Sequence, residues 1–125
     1  MNLLLDTCVL LWWLDDPDLL SKEASTAMKE PDNQIIVSVV SAWEIAIKKA
    51  LGKLESPDNL KEVITDAKFE LMQIDYEHAW QVKNLPSHHR DPFDRLLVSQ
   101  ATVENLTLVT RDPKLKAYNV PILKA

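Results

Sequence analysis

The sequence predicts a single three-layer α/β/α domain over residues 1–125, built on a central, mainly parallel sheet. Three observations carry that expectation. Short apolar runs such as "NLLL", "QIIVSVV" and "LTLVT" have the length and composition of strands buried on both faces. Between them lie longer segments with helical periodicity, and strands alternating with helices pack as a parallel sheet covered on both sides. The seven prolines, at 17, 31, 57, 86, 92, 113 and 121, each fall near a change of pattern, and no repeat or low-complexity tract breaks the alternation.

In chain order, "NLLL" is the first strand, followed by helical segments over Val9–Leu14 and Ser21–Glu30. "QIIVSVV" is the second strand, rich in β-branched side chains that suit a pleated surface. "SAWEIAIKKAL" reads as a helix that Ser41 caps and Gly52 ends. Asp58–Ala67 is a further helix, capped by Ser56 or Asp58, then "FELMQI" is the third strand and Tyr76–Asn84 a helix. "PFDRLLVSQATVEN" is the most regular helix, with Asp91 as its N-cap and Pro92 at its first position. The strand "LTLVT", a short helix over Pro113–Tyr118 and the strand "VPIL" close the chain.

Composition narrows the function classes. With 46% hydrophobic and 26% charged residues the chain is a globular domain rather than a disordered one. A net charge of −5 argues against a basic coat for nucleic acid, although acids gathered in one site leave room for a local basic rim. Gly52 is the only glycine, so neither a Walker loop nor a dinucleotide fingerprint can be built. Cys8, the lone cysteine, makes no internal disulfide and fits a reducing cytoplasm. "CVLLWWL" is too short to span a bilayer and, without a basic leader, is not expected to be a signal peptide. Trp12 and Trp13 are adjacent, so one helix face cannot bury both. They are either two separate core contacts or part of a patch for a partner protein or a second copy.

The informative residues are acids. In open parallel sheets ligands collect at the carboxyl ends of strands, where the winding reverses. Asp6 directly follows the first strand, and Asp112 follows "LTLVT" within two residues. On a helical period Glu44 borders the apolar arc of its helix, beside Ile47 and Leu51. Asp94 shares a face with Leu97, Val98 and Ala101, whereas Arg95 aligns with Ser99 and Thr102 on the side expected to be wet. Singly, each acid has a plain explanation: a turn, an i,i+4 pair between Glu44 and Lys48, or a helix cap. Jointly, converging carboxylates repel one another and call for a cation. Oxygen ligands suit Mg²⁺ or Mn²⁺, and such a site suits phosphodiester hydrolysis.

Four segments in series, "LLLDT", "SAWEI", "HRDPFDRLLVSQA" and "LTLVTRD", resemble the PIN domain, and more narrowly the VapC-type toxins of bacterial toxin–antitoxin pairs. The resemblance runs from Asp6 to Asp112. It implies a PIN-like parallel-sheet fold and a Mg²⁺- or Mn²⁺-dependent endoribonuclease inhibited by a small cognate antitoxin protein. It also implies a catalytic and metal-holding quartet of Asp6, Glu44, Asp94 and Asp112, supported by the hydroxyl residues Thr7 and Thr110. Asp91 is then a helix cap. RNA, with transfer RNA among the targets the family suggests, is the expected substrate. A homodimer in the cytoplasm, with no membrane contact, is the expected form.

Lys48, Arg90, Arg95 and Arg111 are candidate RNA contacts, together with Lys53; Lys49 reads as a solvated helix face. His88 and His89 are expected to border the RNA groove or solvent rather than to bind metal, because adjacent side chains diverge in an extended loop. Two rival functions stand beside the nuclease. One is a cysteine hydrolase with Cys8 as nucleophile and His78, His88 or His89 as base. The other is a receiver-like Mg²⁺-binding signalling module with Asp75 as phosphoacceptor.

Overall fold

A computed structural model describes residues 1–125. Its strands are β1 (Asn2–Leu5), β2 (Gln34–Ser38), β3 (Glu70–Met72), β4 (Thr107–Thr110) and β5 (Ile122–Lys124). They lie in the order β3-β2-β1-β4-β5, and every neighbouring pair is parallel. The helices are α1 (Thr7–Asp15), α2 (Lys22–Lys29), α3 (Val39–Ala50), α4 (Leu60–Asp66), α5 (Tyr76–Gln81) and α6 (Pro92–Glu104). Strand alternation divides the apolar residues into two cores. Leu3, Leu5, Ile35, Val37 and Val109 face Val9, Leu10, Ala24, Ile45 and Ile64. Leu4, Ile36 and Leu108 face the other way, onto Leu97, Val98 and Ala101 of α6 and onto Leu115 and Tyr118. The period of two along each strand is what makes three layers.

Several boundaries differ from the sequence expectation, each for a local reason. β2 stops at Ser38, whose Oγ accepts the Val40 amide at 3.0 Å and caps α3. Val39 and Val40 therefore enter the helix despite their β-branching, and burial of Val40 in the second core outweighs that preference. Ser41, expected as the cap, is fully buried inside α3 and accepts the Thr7 hydroxyl at 2.9 Å. Asp58 does not cap α4, which begins at Leu60; its carboxylate pairs with Lys49 at 2.6 Å. α1 starts two residues earlier than expected because Asp6 caps it. The adjacent tryptophans take two separate contacts: Trp13 leans on Phe69 at 5.6 Å, and Trp12 lies under the Arg111 guanidinium at 4.3 Å.

Winding moves from β1 to β2 to β3 on one side and resumes at β4 on the other, so the sheet reverses between β1 and β4. Leu5 faces Val109 there, and the Asp6 amide donates to the Val109 carbonyl at 3.0 Å. The carboxyl ends of these two strands open the crevice that the reversal creates.

Arg95 is a correction. It does not lie on a wet face, because α5 packs over that side of α6 and Ser99 is fully buried, donating to the His78 carbonyl at 2.6 Å. The Arg95 guanidinium donates to the carbonyls of Pro86 at 3.0 Å, Val82 at 3.3 Å, and Leu85 and His89 at 3.5 Å. It also reaches the Tyr118 hydroxyl at 3.3 Å. This side chain holds the loop between α5 and α6 rather than facing a substrate groove. Arg95→Ala is expected to lower stability by about 2 kcal/mol, since charge-assisted bonds to main-chain carbonyls are lost together. Arg95→Lys should recover little, as one ammonium cannot fork across several carbonyls. Thermal or denaturant unfolding measures both.

Candidate active site

The four expected acids meet in one pocket of about 190 Å³ at the carboxyl ends of β1 and β4, with Asp91, Lys48 and Arg111 also in its wall. Asp6 leaves β1 and caps α1: Oδ1 accepts the Cys8 amide at 2.8 Å, and Oδ2 accepts the Thr110 hydroxyl at 2.6 Å. Asp112 leaves β4 and caps the 3₁₀ turn Pro113–Ala117, with Oδ1 accepting the Lys114 amide at 2.9 Å. Thr110 also accepts the Asp112 amide at 3.1 Å, so one hydroxyl positions both strand-end acids. Thr7, bonded to Ser41, fastens α1 to the helix that carries Glu44. Both hydroxyls singled out in the sequence thus act on the acids' supports.

Asp91 accepts the Phe93 and Asp94 amides at 2.8 and 3.2 Å, which is the N-cap role expected of it. Asp94, one turn inward, is largely buried. Glu44 is buried on α3; its Oε2 meets the Lys48 ammonium at 2.6 Å, and its Oε1 has no hydrogen-bond partner. Lys48 remains at the rim, while Arg111 donates to the carbonyls of Ala125, at 2.7 Å, and Leu19. Arg90 is exposed.

Proton affinities record the crowding. Burial, then the Asp6 and Asp91 charges, push the Asp94 carboxyl up to about 7 against a partial pull from His89. Burial raises Asp6 despite its two hydrogen bonds, and the Glu44 and Asp112 charges add to this. Asp112 behaves oppositely: burial pushes it up, but the Lys114 amide and the His89 ring outweigh that and hold it below the ordinary value. The Cys8 thiol is pushed up to about 11 by desolvation and by the Asp6, Glu44 and Asp94 charges, so it is a poor nucleophile. An all-oxygen donor set, an orphaned buried Glu44 oxygen and carboxyls that resist ionisation are what a hard divalent cation fits.

His89 is more closely engaged than the sequence indicated: its ring sits among the acids, with Nε2 2.8 Å from Asp112 Oδ2 and 3.2 Å from Asp94 Oδ2. His88 behaves as expected, exposed and edge-on to Tyr118 at 5.1 Å. A second histidine–acid group, Asp75, His78 and Glu104, lies at the far end of α6. There His78 closes a capping box with Asp75 and meets Glu104 at 2.9 Å. His78 and His89, two of the histidines proposed as bases for Cys8, are therefore engaged with other acids.

The family model for the PIN domain matches residues 3–121. A curated relative, ribonuclease VapC22 of Mycobacterium tuberculosis, is 31% identical, with 96% of this chain and 94% of the relative covered. VapBC2 from Rickettsia felis, solved bound to a DNA fragment from its promoter, superposes with a TM-score of 0.73 at 18% identity, covering 100% of this chain and 99% of that one. DNA-bound VapBC from Salmonella typhimurium gives 0.72 at 15% identity, with 99% and 98% covered. VapBC-5 from M. tuberculosis gives 0.63 at 18% identity, with 99% and 98% covered. At such identities the structures speak for a shared fold.

The raised Asp94 carboxyl has a consequence for stability. Between its ordinary value of 3.8 and about 7, the folded protein keeps a proton that the unfolded chain releases. Its contribution is therefore present at low pH and is lost as pH rises through that window. Melting temperatures in EDTA should show this loss in the wild type, and Asp94→Asn should remove it. A variant with the same slope as the wild type would contradict the assignment.

Proposed function

The chain belongs to the PIN-domain family, and from that membership and its four-carboxylate pocket we propose that it is a Mg²⁺- or Mn²⁺-dependent endoribonuclease of the VapC type. One observation carries the reading: Glu44 Oε1 is buried without a partner beside carboxyls that burial and mutual charge push toward protonation. Divalent-ion chemistry at this site would be the lowering of a bound water's pKa, so that hydroxide is available near neutral pH, and the neutralising of phosphate charge. Asp6, Asp94 and Asp112 would hold the ion, directly or through water, and Glu44 would hold it or orient the attacking water. Thr110 keeps Asp6 aimed into the pocket, and the Thr7–Ser41 bond keeps Glu44 in reach. Lys48, and Arg111 over Trp12, are the cations at the pocket suited to meeting substrate phosphates. In-line attack by water with the P–O3′ bond breaking and O3′ leaving would give a 5′ phosphate and a 3′ hydroxyl.

The chain acts on RNA as the toxin of a toxin–antitoxin pair in the cytoplasm, and a cognate antitoxin inhibits it. Support comes from the VapBC complexes whose toxin fold it shares. Trp43 and Ile47 on α3, with Leu51 just after it, are exposed along one stripe and add apolar surface suited to a protein contact, either the antitoxin or a second copy in a homodimer. No helix is long and apolar enough to cross a membrane. The signalling-module alternative fares poorly. Asp75 caps α5, and the order β3-β2-β1-β4-β5 differs from the 2-1-3-4-5 order of receiver-type folds.

Cleavage of a panel of cellular RNAs with Mg²⁺, Mn²⁺ or EDTA tests the proposal. Chelation should abolish cleavage, and Asp6→Asn or Asp94→Asn should lower it at least about a hundredfold. Undiminished activity in either variant, or in EDTA, would sink the assignment.

A further inference from the structure

The geometry points to His89 as a positioning residue of this site: its ring bonds Asp112, lies in close contact with Asp94, and sets the spacing at which these acids would receive the ion. The inference rests on the metal-dependent reading above and adds a residue to it.

The proton on the ring is located by its neighbours. His89 Nδ1 lies 3.0 Å from the amide nitrogen of Asp91, and a main-chain N–H can only donate. Nδ1 is therefore the acceptor, which leaves the ring's N–H at Nε2. That atom lies 2.8 Å from Asp112 Oδ2 and 3.2 Å from Asp94 Oδ2. A nitrogen that donates its hydrogen has no lone pair for a cation, so His89 binds the carboxylates and not the ion.

The ring is fixed from several directions. The His89 amide donates to the Tyr118 hydroxyl at 3.0 Å, and its carbonyl accepts from Arg95 at 3.5 Å. Its side chain is 12% exposed. Asp112 is anchored at its other oxygen by the Lys114 amide at 2.9 Å. A hydrogen-bonded path thus runs from the turn after β4, through Asp112 and His89, to the Asp91 amide at the N-cap of α6. It sets the His89 ring between Asp112 and Asp94, two acids that would otherwise repel one another. Asp91 serves twice, its carboxylate capping α6 and its amide selecting the His89 tautomer.

His78 shows the same bonding where no pocket acid is involved. Nδ1 accepts the Asp75 amide at 3.1 Å and Nε2 meets Glu104 at 2.9 Å, which only secures α5 against α6. The difference at His89 is that its ring bonds one acid of the pocket and lies 3.2 Å from another.

The test is calorimetric titration of the RNA-free protein with Mn²⁺. His89→Ala should weaken Mn²⁺ binding about ten- to a hundredfold, the usual cost of losing a bond that orients a metal-holding group. His89→Gln, whose amide N–H reaches a similar place, should bind Mn²⁺ closer to the wild type than His89→Ala does. A purely structural histidine would lower the melting temperature of both variants and leave Mn²⁺ affinity unmoved. That result, tighter binding in His89→Ala, or equal weakening in both variants, would overturn the proposal. If His89→Ala does not fold, the Gln variant decides alone: near-native affinity supports the role and a hundredfold loss overturns it. Wild-type protein that takes up no Mn²⁺ would strike the metal reading itself, a distinct failure.

Discussion

Thr110 closes β4 with a hydroxyl that donates to Asp6 at 2.6 Å and accepts the Asp112 amide at 3.1 Å. These bonds join the two strands between which the sheet reverses its winding, so the reversal and the first and last acids form one unit. Asp6 cannot swing away from that unit, because Cys8 holds its other oxygen. Glu44 and Asp94 are consequently brought against a fixed carboxyl group. The strain appears as carboxyls that burial and neighbouring charge drive toward protonation at Asp6 and Asp94. A fold free to relax would spread these charges apart; here the parallel strands and their caps forbid it.

Capping and chemistry are not alternatives in this molecule. Asp6 and Asp112 each give one oxygen to the amide of a helix or turn that follows their strand, and the other meets a side chain, Thr110 at Asp6 and His89 at Asp112. The cap determines where the carboxylate sits, and the strand end determines what it sits beside. Asp91 shows the limit of this double use. Both amides that it caps bind one of its oxygens, and the residue one turn further into α6, Asp94, takes the inward position.

Most of the architecture was legible because it depends on periodicity. Alternation along "LLL", "IIV" and "LV" sorts residues into two cores, and that sorting is what the structure contains. Asp94 could be placed on a core-facing helix arc for the same reason, whereas Glu44 could not: Ile47 and Leu51, the apolar residues it was set beside, are exposed, and Glu44 itself is buried. Boundaries were less legible. Val39 and Val40 look like strand but serve as helix, since packing above the sheet outweighs a local preference of less than about 1 kcal/mol per residue. Arg95 was misplaced because helical period says which residues share a face but not what covers it. Here α5 covers it, and a nominally wet arc became the seat of a clamp.

His89 was hidden for a different reason. Residue type offered three roles for a histidine near acids: ligand, base, or bystander. The choice among them lies in a main-chain amide, two residues on, that every residue except proline possesses and that no pattern distinguishes. Once the Asp91 amide occupies Nδ1, the ring has a hydrogen to give and no lone pair to offer at Nε2. The bond that matters is thus written in the backbone of the α6 cap, whose geometry follows from Asp91 and Pro92. Those two residues look merely structural, yet they determine how a neighbouring side chain meets the acids of the pocket.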